Sequence, residues 1–186
     1  MRIGRLRDAV LTLSFLFLLV LIAARLQEGV QQSIAGPFFV VDGDTLAAEG
    51  ERLRIAGMDA PEIDQTCARD GQAWDCGQEA KTALRQVMAR GKATCHGSER
   101  DRYGRLLVDC FVDGRPVAGA MVGAGMAVAT GMITYQKEQS GAKAERKGIW
   151  GGAFVMPAEW RRQRMLKKDA DGLFARLRAL LSLQWL

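Results

Sequence analysis

The order of apolar and polar positions predicts short strands in the first half of the central chain and helices after them. Apolar or alternating runs predict five strands, at residues 38–41, 45–48, 52–55, 92–96 and 105–112. Apolar residues at helical spacing predict a helix at residues 77–90. Pro116 as a first-turn residue and Gly125 as an end signal predict a second helix at residues 116–122, and residues 138–147 are expected to form a third, polar helix. Residues 59–75, between the third strand and the first helix, are expected to be irregular. This order predicts an α+β fold, a small five-stranded antiparallel barrel with packed helices.

A long apolar run lies near the N-terminus. Three arginines precede residues 9–24, which are apolar apart from Thr12 and Ser14. A basic start followed by an apolar run is typical of a signal peptide or a membrane anchor, and the length of this run falls between the two. We expect an uncleaved single-helix anchor that binds the membrane and places the following residues on the periplasmic or extracytoplasmic side. A cleaved signal, with secretion, and a buried core helix are the alternatives.

The charge distribution divides the chain into three parts: a signal or anchor segment at residues 1–30, a folded domain at residues 31–154 and a basic tail at residues 155–186. The whole chain carries a formal charge of +5, and the tail alone holds seven basic and three acidic residues. The central part is therefore close to neutral. A polyanion would be bound there by a few placed cations and not by a broad basic field.

The basic tail has its own apolar stripe. Its leucines and one phenylalanine recur at helical spacing, at Leu173, Phe174, Leu177, Leu180 and Leu181. We expect a helix docked on the domain. A helix that binds a membrane surface or a partner protein is the alternative.

Four cysteines fit an exported chain, because an even number outside the cytoplasm favours disulfides. Cys67 and Cys76 flank a short polar loop, while Cys95 and Cys110 lie in two runs that a hairpin would bring face to face. We predict the disulfides Cys67–Cys76 and Cys95–Cys110, one of three possible pairings. A metal site is the alternative, but the sequence has no CxxC pair and a single histidine.

Three short segments carry the candidate chemistry: Asp42-Gly43-Asp44-Thr45, then Arg54 with Asp59-Ala60-Pro61-Glu62, then Asp101-Arg102-Tyr103-Gly104-Arg105. Each alone is ordinary turn or surface chemistry. Together they offer carboxylates for a hard divalent cation and a further carboxylate that can accept a proton from water. They also offer guanidinium groups that can bind phosphoryl oxygens in pairs. The combination predicts cleavage of a phosphodiester bond.

The three segments, in this order and spacing, resemble the staphylococcal-nuclease-like (thermonuclease) family. The resemblance covers about residues 38–150. It implies an OB-type barrel with three helices and Ca²⁺-dependent hydrolysis of DNA or RNA. It departs from the family's namesake in having Ala60 where the namesake has threonine, and one tyrosine, Tyr135, where the namesake has a pair.

The resemblance also implies roles for individual residues. Calcium would be bound by Asp44, Asp59 and the carbonyl oxygen of Ala60. The catalytic residues would be Arg54, Glu62 and Arg105. Residues near the substrate or supporting the site would be Asp42, Thr45, Arg102, Tyr103 and Tyr135.

The sequence therefore predicts an exported or anchored metal-dependent endonuclease that acts on nucleic acid as a monomer. The alternative is an OB-fold module without catalysis, which binds nucleic acid or a protein partner, because the same fold serves many functions.

Overall fold

The structure, a computed structural model, describes residues 2–26 and 32–182, with side chains for residues 7–8, 10–22 and 32–172. The helices are α1 Arg2–Leu26, α2 Cys76–Met88, α3 Val117–Gly123, α4 Gln136–Ala144 and α5 Pro157–Ser182. The strands are β1 Gln32–Ala35, β2 Phe39–Val40, β3 Thr45–Ala48, β4 Glu51–Ile55, β5 Met58–Asp59, β6 Cys67–Arg69, β7 Gln72–Trp74, β8 Ala93–Arg100, β9 Leu106–Val112, β10 Arg115–Pro116 and β11 Val128–Ala129. A 3₁₀ turn covers Gly148–Gly151.

Most strands belong to one curled sheet. Its order is β1-β8-β9-β4-β3-β2, with β10 added beside β9 to make seven strands, and it forms a half-barrel. The α+β class and a sheet that fits an OB-type fold are confirmed. The prediction of five strands, all antiparallel, is wrong, because β4 and β9 run parallel. A parallel pair needs a long crossover, and here the chain between the two strands includes α2 and β8.

The core lies on one face of this sheet. Side chains of β9 alternate between buried and more exposed positions, as a strand with one covered face requires. On β4, Leu53 and Ile55 point into the core, so Arg54 between them faces the other side. Helices α2 and α3 cover the core with apolar faces that include the buried Leu84 and Met121. The fold therefore presents Arg54 on a rigid strand whose neighbours are fully buried.

Besides the two-residue strands β5, β10 and β11, two longer sets of strands were not predicted from the sequence. β1 pairs with β8, although its four residues show no clear strand signal. β6 and β7 form a hairpin inside residues 59–75, where we expected no regular structure. Both are short, and both form because a partner strand supplies hydrogen bonds that the local sequence does not reveal.

Both predicted disulfides are present in the structure. Cys95 and Cys110 are direct cross-strand partners on β8 and β9. Cys67 and Cys76 join the start of the β6–β7 hairpin to the start of α2. All four cysteines are buried, and none is free. The Cys67–Cys76 bridge closes the segment between the candidate acids at residues 59–62 and helix α2.

The two terminal helices differ from the central domain. The described apolar side chains of α1, at residues 10–22, are exposed. Among the residues that the structure describes, no helix combines the length and apolar character that a membrane crossing requires. The expected membrane-spanning anchor is therefore not confirmed. On α5 the side chains of the predicted apolar stripe lie outside the described residues, so the question of what it packs against stays a prediction.

Candidate active site

Three strands bring together two of the predicted acids and one arginine. Asp44 precedes β3, Arg54 lies on β4 opposite Thr45, and Asp59 ends β5. Asp44 and Asp59 are 4% and 5% exposed. We call Asp44, Arg54 and Asp59 the strand cluster. It forms because the antiparallel register of β3 and β4 fixes the first two residues, and the turn after β4 returns the chain to the third.

Arg54 bridges the two acids. Its Nη1 donates a hydrogen bond to Asp44 Oδ1 at 2.6 Å, and its Nη2 donates to Asp59 Oδ1 at 2.6 Å. Burial alone would lower the pKa of Arg54, but the two carboxylates outweigh it and raise the pKa. The guanidinium therefore stays charged and holds both acids in one place.

Asp44 is held by further hydrogen bonds from its neighbours. Its carboxylate accepts them from the Thr45 hydroxyl at 3.0 Å and from the Ala60 amide at 3.2 Å, while its own amide donates to Asp42 at 3.1 Å. Burial raises the pKa of Asp44 to about 7; Arg54 opposes this shift and the charge of Asp42 adds to it. The negative charge of Asp44 is thus only partly compensated in the folded protein.

The third predicted segment forms a tight turn between β8 and β9. Asp101 accepts hydrogen bonds from the Arg105 Nε at 2.8 Å and from the amides of Tyr103 and Arg105. Arg105 also donates from Nη1 to the Thr45 hydroxyl at 3.3 Å. The guanidinium of Arg102 stacks 4.8 Å from the centre of the exposed Tyr103 ring. The turn therefore points Arg105 towards the strand cluster.

One cavity of about 660 Å³ connects these segments. Among the residues that line it are the three predicted catalytic residues Arg54, Glu62 and Arg105, and also the predicted neighbours Arg102 and Tyr103. The other predicted residues lie behind this lining. Hydrogen bonds join Arg54 to Asp44 and Asp59, and Arg105 to Thr45. Asp42 and Ala60 are connected through their hydrogen bonds with Asp44. The sequence-predicted groups thus converge, with one exception.

The exception is Tyr135, which the structure places elsewhere. Its ring packs against the hydrophobic core and against Gly57 and Gly119, close enough that a Cβ on Gly57 would lie 2.8 Å from it. Burial raises its pKa, and Asp109 and Glu138 add to the shift. Tyr135 does not line the cavity. A role for it at the substrate stays a prediction without a structural contact behind it.

The sequence did not reveal one residue of the site, Arg161 on α5. Its Nη1 donates to Glu62 Oε1 at 2.7 Å and to Asp59 Oδ1 at 3.0 Å, and its Nη2 donates to Asp59 Oδ2 at 2.9 Å. Hydrogen bonds to Asp59 raise the pKa of Arg161, although its partial burial opposes them. Arg161 lies about a hundred residues from its partners, in a tail where many basic residues follow one another. No local pattern distinguishes it from Arg162 or Arg164.

The donor chemistry of the strand cluster fits calcium. Asp44 and Asp59 offer carboxylates and Ala60 offers a carbonyl oxygen, and Ca²⁺ prefers such hard oxygen ligands. Burial raises the pKa of Asp44, and a cation beside it would favour the charged carboxylate. Within the described part of the chain, no group of three or more histidine, cysteine, aspartate or glutamate side chains is placed to hold a metal. A cation here would therefore depend on two carboxylates together with a backbone oxygen. Both carboxylate oxygens of Asp59 accept hydrogen bonds from arginines.

Comparison with known proteins agrees with this geometry. Residues 52–152 match the family described as staphylococcal nuclease homologue. The matched range includes Arg54, Asp59, Glu62 and Arg105, and it ends before Arg161. The arginine that pairs with Glu62 therefore lies on a part of the chain that the family pattern does not cover.

Several relatives share this domain. The chain is 36% identical over 128 residues to the succinoglycan biosynthesis protein ExoI of Rhizobium meliloti, covering 66% of this chain and 67% of that protein. It is 30% identical over 135 residues to an uncharacterized endonuclease of Escherichia coli, covering 67% of this chain and 82% of that protein. It is 31% identical over 146 residues to the probable staphylococcal-like nuclease CAN1 of Oryza sativa, covering 74% of this chain and 41% of the rice protein. The chain therefore belongs to the staphylococcal nuclease homologue family.

Proposed function

We propose that this protein is a calcium-dependent nuclease that hydrolyses phosphodiester bonds of DNA or RNA. The observation that carries the proposal is the convergence of Arg54, Glu62 and Arg105 on one cavity beside two buried carboxylates. Two of the relatives are named as a nuclease or an endonuclease, which supports the same reaction class.

The side chains of the cavity divide the chemistry between them. Arg54 and Arg105 are placed to bind phosphoryl oxygens and to offset the negative charge that grows in the transition state. Glu62 lies at the cavity with a carboxylate that can take a proton from the attacking water. Asp44, Asp59 and the Ala60 carbonyl would hold calcium, which when bound polarises the phosphate. Asp101 keeps Arg105 oriented through its Nε and Nη2.

We also propose that the protein acts outside the cytoplasm. Two buried disulfides support this location, because such bonds persist in oxidising compartments and are rare in reducing ones. The basic and apolar N-terminal run supports it too, since it has the layout of an export signal.

One observation favours a second function, an OB-fold module that binds nucleic acid or a protein without cleaving it. Oε1 of Glu62, the proposed proton acceptor, already accepts a hydrogen bond from Arg161, so this carboxylate does not present both oxygens to the attacking water. An arginine in that place occupies an oxygen that would otherwise be open to the attacking water. The two functions make different predictions about metal and product.

The deciding experiment incubates the full-length protein with plasmid DNA and with RNA, in calcium and in EGTA. Calcium-dependent cleavage is expected. Glu62→Gln and Arg105→Ala should each lower the rate by about a hundredfold or more. Glu138→Gln, at an exposed position of α4 away from the cavity lining, is the matched control and should keep the wild-type rate. Binding without product, unchanged by EGTA and by Glu62→Gln, would establish the non-catalytic module instead.

A further inference from the structure

Residue Arg161 occupies carboxylate oxygens that a divalent cation would need. We propose that Arg161 competes with calcium for Asp59 while it also pairs with Glu62, so that α5 holds the site closed until the cation displaces this arginine. The inference deepens the proposed function and rests on its calcium-binding part. It concerns a residue outside the range that matches the family.

The hydrogen bonds show why both cannot bind at once. Arg161 uses Nη1 and Nη2 on the two oxygens of Asp59 and also reaches Glu62, all within 3.0 Å. Asp59 Oδ1 accepts from Arg54 as well. Oδ1 therefore accepts from two arginines and Oδ2 from one. A cation that binds both oxygens of Asp59 must replace at least one of these donors, and a cation beside Oδ2 alone would lie next to the positive charge of Arg161. Arg161 and the cation therefore each lower the apparent affinity of the other.

The charges favour such an exchange. Asp44, Asp59 and Glu62 face two guanidinium groups, those of Arg54 and Arg161. Arg161 stays charged, because its pKa is raised by the carboxylates, so it leaves the site only by moving. A divalent cation brings two charges in place of one and compensates the carboxylates that Arg161 leaves behind.

The contacts that attach α5 to the domain allow Arg161 to leave the site. The side chain of Arg161 is 33% exposed, against 16% for Arg54. Beyond Arg161 every described side chain of α5 is exposed. From Arg161 onward the contacts with the domain are polar, as in the pair of Arg164 with Asp64. Apolar contacts lie before Arg161, where Pro157 is buried and Trp160 is partly buried, with its Nε1 out of contact with solvent. Displacing the Arg161 side chain therefore breaks ion pairs and leaves these apolar contacts in place.

The test measures calcium affinity by titration calorimetry on the full-length protein without nucleic acid. Arg161→Gln should bind calcium at least about fivefold more tightly than the wild type, the lower end of common coupling between sites. Arg162→Gln is the matched control, since Arg162 is an exposed neighbour whose ion pair among the described residues is with Glu159. It should match the wild type. A merely structural role for Arg161 would weaken calcium binding, which is the opposite sign.

Two further measurements keep the result clear. Arg161→Lys keeps the charge but loses the paired geometry, so its calcium affinity should lie between those of the wild type and Arg161→Gln. In the wild type, calcium should speed amide hydrogen exchange in the first turns of α5 and leave exchange in β4 unchanged.

The outcomes separate this inference from the proposed function. Equal or weaker calcium binding by Arg161→Gln, or no calcium binding by either protein, overturns the competition. If calcium-dependent cleavage persists in that case, the proposed function stands without it. If Arg161→Gln binds calcium more tightly while no cleavage occurs, the competition stands and the nuclease proposal fails.

Discussion

The strand cluster and the first turns of α5 contribute arginines to the same cavity by different means. Arg54 lies on β4 between Leu53 and Ile55, which are buried in the core. Arg161 lies on a helix that meets the domain through ion pairs, the buried Pro157 and the partly buried Trp160, and the described side chains after Arg161 are exposed. The comparison teaches that a group on a core strand has a fixed position, whereas a group on a surface helix can be exchanged for a ligand.

The largest expected effect comes from removing the arginine of the strand cluster. Arg54→Met should lower the free energy of unfolding by about 3–5 kcal/mol, because it leaves two buried carboxylates beside each other without their shared partner. Urea denaturation of the metal-free protein measures the loss. Arg52→Met, at an exposed position of the same strand, should change it by no more than about 0.5 kcal/mol. Equal losses in the two variants would contradict the special role of Arg54.

The side-chain packing around each arginine can be tested next. Leu53→Ala removes a fully buried side chain next to Arg54 and should cost about 2–5 kcal/mol of stability. Met165→Ala, on α5 where the side chain is 53% exposed, should cost no more than about 0.5 kcal/mol. Thermal or urea unfolding of both variants gives the comparison. A comparable loss for Met165→Ala would show that α5 is packed as firmly as the strands.

The stability that Asp101 gives to the turn carrying Arg105 is expected to depend on pH. Partial burial alone would raise the pKa of Asp101, but hydrogen bonds from Arg105 and Tyr103 lower this pKa below its ordinary value of 3.8. Its contribution to stability is therefore complete above that value and is lost as the pH falls through the lower pKa of the folded state.

Melting temperatures of the wild type and of Asp101→Asn check this. The wild type should melt higher at neutral pH, and the gap between the two should shrink once the pH falls below 3.8. Asp171→Asn, on the exposed part of α5, is the matched control. A gap that stays constant across this range would mean that the hydrogen bonds of Asp101 do not stabilise the turn.

The smallest effect is expected at the second ion pair of α5. Arg164→Gln removes the pair with Asp64, whose partners are 57% and 48% exposed. Such exposed pairs contribute about 0–1 kcal/mol, and salt screens them. The variant should lose that small amount at low salt and match the wild type at high salt. A larger loss that persists at high salt would show that this contact anchors the helix firmly and would argue against an exchangeable α5.

The sequence determined those features that depend on neighbours along the chain. The antiparallel pairing of β3 and β4, the three charged segments and both disulfide pairings could be predicted, because turns and alternation of side chains are local properties. Helices α2, α3 and α4 lie within a few residues of their predicted bounds, because apolar spacing in α2 and local end signals around the others are properties of neighbouring residues. Five of the predicted site residues reach one cavity because short segments of fixed geometry carry them.

The tertiary structure alone decided the contacts between distant parts of the chain. The parallel pairing of β4 with β9, the addition of β1 to the edge of β8 and the position of Tyr135 in the core depend on how whole elements pack. The entry of Arg161 into the site is the clearest case. Its sequence neighbours are similar basic residues, and only the docking of α5 against residues 59–65 brings one of them within hydrogen-bond distance of Asp59 and Glu62. Such contacts depend on three-dimensional proximity, which spacing along a chain does not encode.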